Sequence, residues 1–250
     1  MRFAIFGTMI EVNVPTAPDL MAAAEDRLRA GRGFAVATLN LDHLVKLRSI
    51  AAFRDAYADH DLIVADGNPV VWLSHLAGRP VKLVPGSDMV VPMARLAARL
   101  GVPVAMVGST PQALARATAR LTDEVPGLTV AACIAPPMGF DPNGPGGEAV
   151  LNELAASGAR LCFLALGAPK QELLAARARL CIPDLGFVSV GAGIDFIAGT
   201  QLRAPSWVQA FALEWLWRML AEPRRMIPRY LRCALILPAE IAAALRLRGN

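Results

Sequence analysis

The 250 residues suit one large α/β domain, or one domain with a small appendage. Hydrophobic residues make up 55% and mean hydropathy is +0.43, yet no run reaches the ~18 uninterrupted apolar residues of a spanning helix. Net charge is +4, and the four cysteines (Cys133, Cys162, Cys181, Cys233) are scattered without CxxC or zinc spacing, so they read as buried thiols in a reducing compartment.

Arg2 to Phe6 reads as a short strand, and this start is too short and strand-like for a secretory leader. Pro18 to Ala30 has an amphipathic helical pattern stopped by Gly31. Phe34 to Thr38 is an apolar strand, and helical segments run on to His60. Leu62-Ile63-Val64-Ala65 is a run of four apolar residues, the pattern of a strand buried on both faces of a parallel sheet. Pro69 then opens a helix, since its missing N–H costs nothing at the first helical position. Next come a helix over Met89 to Leu100, a strand over Val104 to Val107, a helix opened by Pro111 and a strand over Leu128 to Ala132. A Pro/Gly-rich loop covers Ala135 to Gly147. It is followed by a helix to Ser157, the strand Leu161 to Ala165, a helix from Pro169 and the strand Phe187 to Val190. This alternation predicts an α/β fold: right-handed βαβ units making a Rossmann-like parallel sheet with helices on both faces.

The tail changes character. Ser206 suits an N-cap for a helix through Ala221, whose only charges, Glu214 and Arg218, form an i,i+4 pair. Pro223 and Pro228 are expected to break the rest into further helices ending near Arg248. The chain thus divides into a core, residues 1–199, and a helical appendage, residues 200–250. From Gln201 onward there are eight arginines and three glutamates, among Trp207, Phe211, Trp215, Trp217 and Tyr230. Basic residues mixed with interfacial aromatics suit an anionic membrane surface or a phosphate-bearing substrate. A solvated helix is the other reading, because arginines outnumber lysines 22 to three throughout the chain.

In open α/β sheets ligands bind outside the carboxyl ends of the strands. Those ends carry Thr38 and Asn40, then Asp66 and Gly67, Gly108-Ser109-Thr110, Gly139-Phe140, Gly167 through Glu172, and Gly191 through Asp195. Asp66 is either a carboxylate delivered to the reaction site or the cap of the following helix. The glycines either let backbone N–H groups approach an anion or simply make turns. In Gly167-Ala168-Pro169-Lys170-Gln171-Glu172, the last three residues occupy a first helical turn, where Glu172 suits the positive terminus and Gln171 suits a substrate hydroxyl or amide. A cap alone does not require Lys170, Gln171 and Glu172 together.

The absence of GxxxxGK[ST] argues against a P-loop enzyme, and Gly7 is followed by Thr8-Met9-Ile10 rather than by a GxGxxG turn. Asp59-His60-Asp61 spells a DxD but precedes its strand, so it is expected at the opposite edge of the sheet. His43 and His75 sit in helical patterns and read as packing or solvent residues.

Taken together the residues resemble the bacterial TagA/WecG/CpsF glycosyltransferases. The matching pieces are Thr38-Leu39-Asn40, Ala65-Asp66-Gly67 with Pro69-Val70-Val71-Trp72, Pro85-Gly86-Ser87-Asp88, Val107-Gly108, Gly139-Phe140 and Gly167 through Glu172. They continue with Gly191, Asp195 and Gly199, Arg203-Ala204-Pro205, Glu214-Trp215 with Arg218, and Glu222-Pro223-Arg224-Arg225 with Arg229-Tyr230. The resemblance implies an inverting transfer of a hexose or N-acetylhexosamine from a UDP-sugar to a polyprenyl-diphosphate-linked saccharide. The setting would be cell-surface polysaccharide synthesis at the inner face of the cytoplasmic membrane. It implies no metal or other cofactor and no nucleic acid, and leaves a homo-oligomer open. It puts the catalytic aspartate on Asp66 and its Thr-x-Asn pair on Thr38 and Asn40. Gly67, Asp88, Gly108, Gly139, Phe140, Gly167, Pro169, Lys170, Gln171, Glu172, Gly191 and Asp195 are the implied binding residues. Relatives commonly carry arginine where this chain has Leu83, so Lys82 or a tail arginine would have to replace it.

Such a transfer needs a carboxylate on the acceptor hydroxyl and stabilisation of the departing diphosphate; Asp66 and Arg203, Arg218, Arg224 and Arg225 are the candidates. Removing the chain after Thr200 is then expected to leave a folded, nearly inactive core. The rival readings are a non-catalytic membrane-associated nucleotide-sugar-binding protein and a sugar-nucleotide dehydrogenase or epimerase.

Overall fold

The computed structural model describes residues 1–205, 208 and 213–249. The first strand does not join the main sheet. β1 (Arg2–Ile5) and β2 (Thr8–Glu11) form a separate antiparallel hairpin. Phe6 and Gly7 both take positive φ at its turn, the backbone a two-residue hairpin requires.

Six parallel strands form the core sheet: β3 (Phe34–Leu39), β4 (Leu62–Ala65), β5 (Val104–Gly108), β6 (Val130–Ile134), β7 (Leu161–Ala165) and β8 (Gly186–Ser189), in spatial order β4-β3-β8-β7-β5-β6. All but β6 are buried along their whole length because both faces are covered. One face carries α1 (Ala17–Arg29), α5 (Val90–Leu100), α6 (Pro111–Glu124) and α9 (Gly193–Ala198), with Leu20, Leu96, Leu114 and Ile194 packed on Val36, Val64, Met106 and Val188. The other face carries α7 (Pro145–Ala156) and α8 (Lys170–Cys181), whose Leu151 and Leu174 meet Leu164 and Phe187. It also carries α2 (Leu41–Ser49), α3 (Ala51–Ala58) and α4 (Asn68–Leu76), where Leu44, Phe53 and Leu73 meet Leu39, Ile63 and Ala65. The expected α/β architecture with helices on both faces is what the chain adopts.

β4 is the outermost strand at one flank, and its edge is occupied. Ile63 donates its N–H to the Asn13 side chain, Val14 donates its N–H to the Ile63 carbonyl, and Leu83 bridges Ala65. β6 lies two residues downstream of the expected Leu128 to Ala132. Leu128 is drawn into the core, the Thr129 carbonyl takes the Val104 N–H, and the β5–β6 register shifts between Val104 and Ala105.

The tail holds α10 (Glu214–Ala221) and α11 (Pro223–Arg248). Ser206, Trp207 and Phe211 lie outside the described residues. Pro223 opens α11 as expected, but Pro228 does not end it, and Pro238 also lies inside. Pro228, Pro238 and the residues four before them, Arg224 and Ala234, are all exposed, so the carbonyls left without an N–H partner lie on the solvent side. The opposite side of α11 buries Met226, Cys233, Glu240 and Ala244 against α2 and α4. Among the described residues no helix is long and apolar enough to cross a membrane. The cysteines are free, but only Cys162 and Cys233 are buried, and Cys133 and Cys181 are exposed.

Candidate active site

Asp66 stands where β4 ends, its backbone N–H bonded to the Leu39 carbonyl of β3 at 2.8 Å. Gly67 follows at φ +112°, a conformation only glycine takes easily, and turns the chain into α4. The side chain of Asp66 is half-buried and makes no ion pair among the described residues. Burial pushes its pKa up to about 6; Arg218 and Asn40 pull it down, while Glu214 and Asp88 push it further up.

Asn40 begins the adjacent helix. Its Oδ1 accepts the His43 N–H at 3.0 Å, which leaves the NH₂ end for Asp66. Thr38, earlier on β3, is buried beneath the turn at Gly86. A Cβ on that glycine would lie 2.6 Å from the Ser189 carbonyl and 3.0 Å from the Thr38 methyl. The same turn presents Asp88, which is ion-paired with Arg203. Burial opposes the Arg203 charge, but Asp88, Glu214 and Asp66 outweigh it and raise its pKa. Arg218 pairs with Glu214 at 2.5 Å and rests 5.8 Å from the centre of the Phe196 ring. Two guanidiniums and three carboxyls therefore lie within electrostatic reach of one another at this end of the sheet.

The turn from Gly167 to Pro169 borders the same wall, since Ala168 packs on the cluster containing Leu39, Ala65 and Val70. Gln171 lies under this turn, 3% exposed; its Oε1 accepts the Gly167 N–H at 3.2 Å and its Nε2 donates to Glu172 Oε1 at 2.8 Å. Glu172 is fully buried, which pushes its pKa up to about 7, and its Oε2 has no hydrogen-bond partner. Behind it Tyr57 is held neutral by burial, with Glu172 and Asp66 adding to the effect, and its hydroxyl lies 3.2 Å from His43 Nδ1. Burial also holds His43 neutral, at a pKa of about 3. Lys170 and Pro169 stay half-exposed on the open side of the turn.

The glycines divide. Gly167 and Gly191, at φ +71° and +53°, have open space where a side chain would stand, so a ligand can approach their backbone. Gly108 is closed off: a Cβ there would lie 2.3 Å from the Ala165 carbonyl, so strand packing accounts for it. Asp195 accepts from the Ser109 hydroxyl at 2.5 Å, from Thr200 at 3.2 Å and from Gln201 at 3.3 Å, tying the start of the tail to the end of β5. Gly139 and Phe140 lie in the loop after β6, the strand at the opposite flank from β4; Phe140 is buried with Val150 and Leu151, and Arg177 of α8 donates to the Pro142 and Gly144 carbonyls of the same loop. Arg224 and Arg225 are exposed on the first turn of α11, Arg225 pairing with Glu222 at 2.9 Å. Lys82 and Leu83 are both exposed, and Arg203 and Arg218 are the guanidiniums that reach Asp66 electrostatically.

Asp61 of the DxD triplet sits at the amino end of β4, where it accepts the Ala35 N–H at 2.8 Å, the opposite edge as expected. Among the described residues no three His, Cys, Asp or Glu side chains are grouped to hold a metal ion. Sequence reasoning passed over Tyr57, Asp42 and Lys46. Only the Asp42/Lys46 spacing, an i,i+4 pair directly after Asn40, offered a signal for them.

A carboxylate at the strand ends, flanked by two arginines and an open backbone turn, is what a transfer from a phosphate-linked donor requires. The family model described as the glycosyl transferase WecG/TagA/CpsF family matches residues 4–249, and the chain belongs to that family of glycosyltransferases.

Proposed function

We propose that this glycosyltransferase moves a hexose or N-acetylhexosamine, with inversion, from a UDP-sugar to a polyprenyl-diphosphate-linked saccharide in cell-surface polysaccharide synthesis. Membership of the family implies a sugar-nucleotide donor and a glycan acceptor. The observation that carries the reading is Asp66, a half-buried carboxyl at the carboxyl end of β4 with pKa about 6, free of ion pairs among the described residues and within electrostatic reach of Arg203 and Arg218. Charged at neutral pH, Asp66 takes the proton of the attacking acceptor hydroxyl as the glycosidic bond forms on the opposite face of the donor sugar. The bond to the diphosphate breaks in the same step. Arg203, released from Asp88, and Arg218 then receive the negative charge, with the uncrowded backbone at Gly167 and Gly191 giving the diphosphate room to approach, without a metal.

Residues 1–199 act as the catalytic core and residues 200–250 close the site and dock on lipid. Leu220, Leu231 and Leu235 are 72%, 61% and 80% exposed, with Ile227, Ile241 and Leu245 also outward. The exposed arginines of α11 flank them, a pattern suited to an anionic membrane surface at the cytoplasmic side. Removing the chain after Thr200 should abolish turnover, and it should also lower stability, because it uncovers the faces of α2 and α4 on which α11 packs. UDP release should be measured across a panel of UDP-sugars with a short-chain polyprenyl-diphosphate saccharide. Release that needs the acceptor and is lost in Asp66→Asn supports the proposal; UDP binding without release points to a binding protein and overturns it.

A further inference from the structure

A line of charged contacts runs from the tail helix to the Gly167 turn. Arg229 of α11 lies 3.0 Å from Asp42 Oδ1, Asp42 Oδ2 lies 2.8 Å from Lys46 Nζ, and Lys46 donates to the Ala168 carbonyl at 3.0 Å. Asp42 is largely buried. Burial works against its charge, but Arg229 and Lys46 outweigh it and hold its pKa below the ordinary value. Removing either cation leaves a buried carboxylate short of a partner, which favours rearrangement of the remaining pair over its persistence. Among the described residues Lys46 is the one side chain that donates a hydrogen bond to the backbone of residues 167–169, while Gln171 accepts from it. The turn it holds carries the open Gly167 and shares a wall with Asp66.

We propose that Lys46, Asp42 and Arg229 are positioning residues of the site: the seating of α11 is transmitted through Asp42 and Lys46 to the Ala168 carbonyl and fixes the turn that meets the donor. The donor part rests on the function proposed above; the coupling itself does not. α11 has an independent tie to α2, the buried Glu240 paired with Arg48, so loss of the Arg229 contact does not by itself undock the helix.

The test is amide hydrogen exchange on the full chain without ligand, read at Gly167 and Gln171, whose N–H groups close the turn onto each other's residue. Lys46→Met should speed exchange there about tenfold, the scale of one lost charge-assisted hydrogen bond, and Arg229→Met should speed it at the same two amides by at least about threefold and no more than Lys46→Met does. Arg229→Lys should restore the slow rate, and Arg229→Met with Lys46→Met together should exceed Lys46→Met alone by less than about twofold, the signature of one shared path. Faster exchange confined to α11 in Arg229→Met, or an unchanged turn in Lys46→Met, overturns the coupling. UDP affinity is measured on the same variants. Exchange that rises while UDP affinity stays constant leaves the coupling standing and removes the turn from donor binding.

Discussion

The side-chain amide of Asn40 faces the carboxyl of Asp66 from the neighbouring strand, while its carbonyl end caps α2. One residue thus sets the start of a helix and favours the charged form of the candidate base. Asn40→Ala should raise the Asp66 pKa above about 6. The acid limb of the pH–rate profile then moves to higher pH, and turnover falls more at pH 6 than at pH 8. Loss of the cap should lower stability by about 1 kcal/mol, measured by chemical denaturation.

Asp66→Asn should leave the fold and UDP binding in place and lower turnover by ~10²–10⁴-fold, the range for a lost general base. Stability should respond in the opposite sense. The Asp66 pKa is about 6 in the fold against 3.8 ordinarily, so between these values the folded state holds a proton the unfolded chain has released. The carboxyl therefore weakens the fold increasingly as pH rises from near 4 to near 6, and fully above that. Discounted for partial exposure, the gain from Asp66→Asn at pH 8 is on the order of 1 kcal/mol and vanishes near pH 4. Thermal melts at the two pH values check both signs.

Arg218 and Glu214 pull the same carboxyl in opposite directions. Arg218→Met should move the acid limb of activity to higher pH, and Glu214→Gln should move it to lower pH by freeing Arg218 from its partner. A pH–rate series on both variants tests this; shifts of the same sign would show that the pair acts only through its mutual contact.

The two kinds of glycine should respond differently to alanine. Gly108→Ala forces a Cβ to 2.3 Å from the Ala165 carbonyl at φ +120°, and should cost several kcal/mol or prevent folding, on the order of other overpacked core sites. Gly167→Ala meets open space at φ +71° and should cost about 1 kcal/mol through backbone strain, with a larger effect on UDP affinity than on the melting temperature.

The sheet was legible because strands covered on both faces must be apolar without alternation, as in Phe34 to Thr38 and Leu62 to Ala65. Asp66 was legible because its place follows directly from where such a strand ends. The hairpin was not, since Phe6 is a side chain rarely found at positive φ and nothing local marks it as a turn residue. The long tail helix was misread at Pro228 because the penalty for proline is a local term, and here packing of Met226, Cys233, Glu240 and Ala244 holds the helix together while water meets the freed carbonyl. The buried state of Gln171 and Glu172 depends on α3 packing on α8, and the Arg203–Asp88 contact joins residues far apart in sequence; neither is a local property. The glycine at 108 was read from its type alone, and the neighbouring strand supplies its reason.

The hydrogen bonds of Asn13 and Val14 and the Leu83 bridge leave the flank beside Asp66 without a row of free backbone groups. A second chain therefore has no template there for growing the sheet by strand addition. Among the described residues the other outer strand of the core sheet is β6, the width of the sheet away from the reacting carboxyl. Any assembly formed near Asp66 must be built from side chains and helix surfaces, which is the kind of contact that can be remodelled without disturbing the strand that aims it.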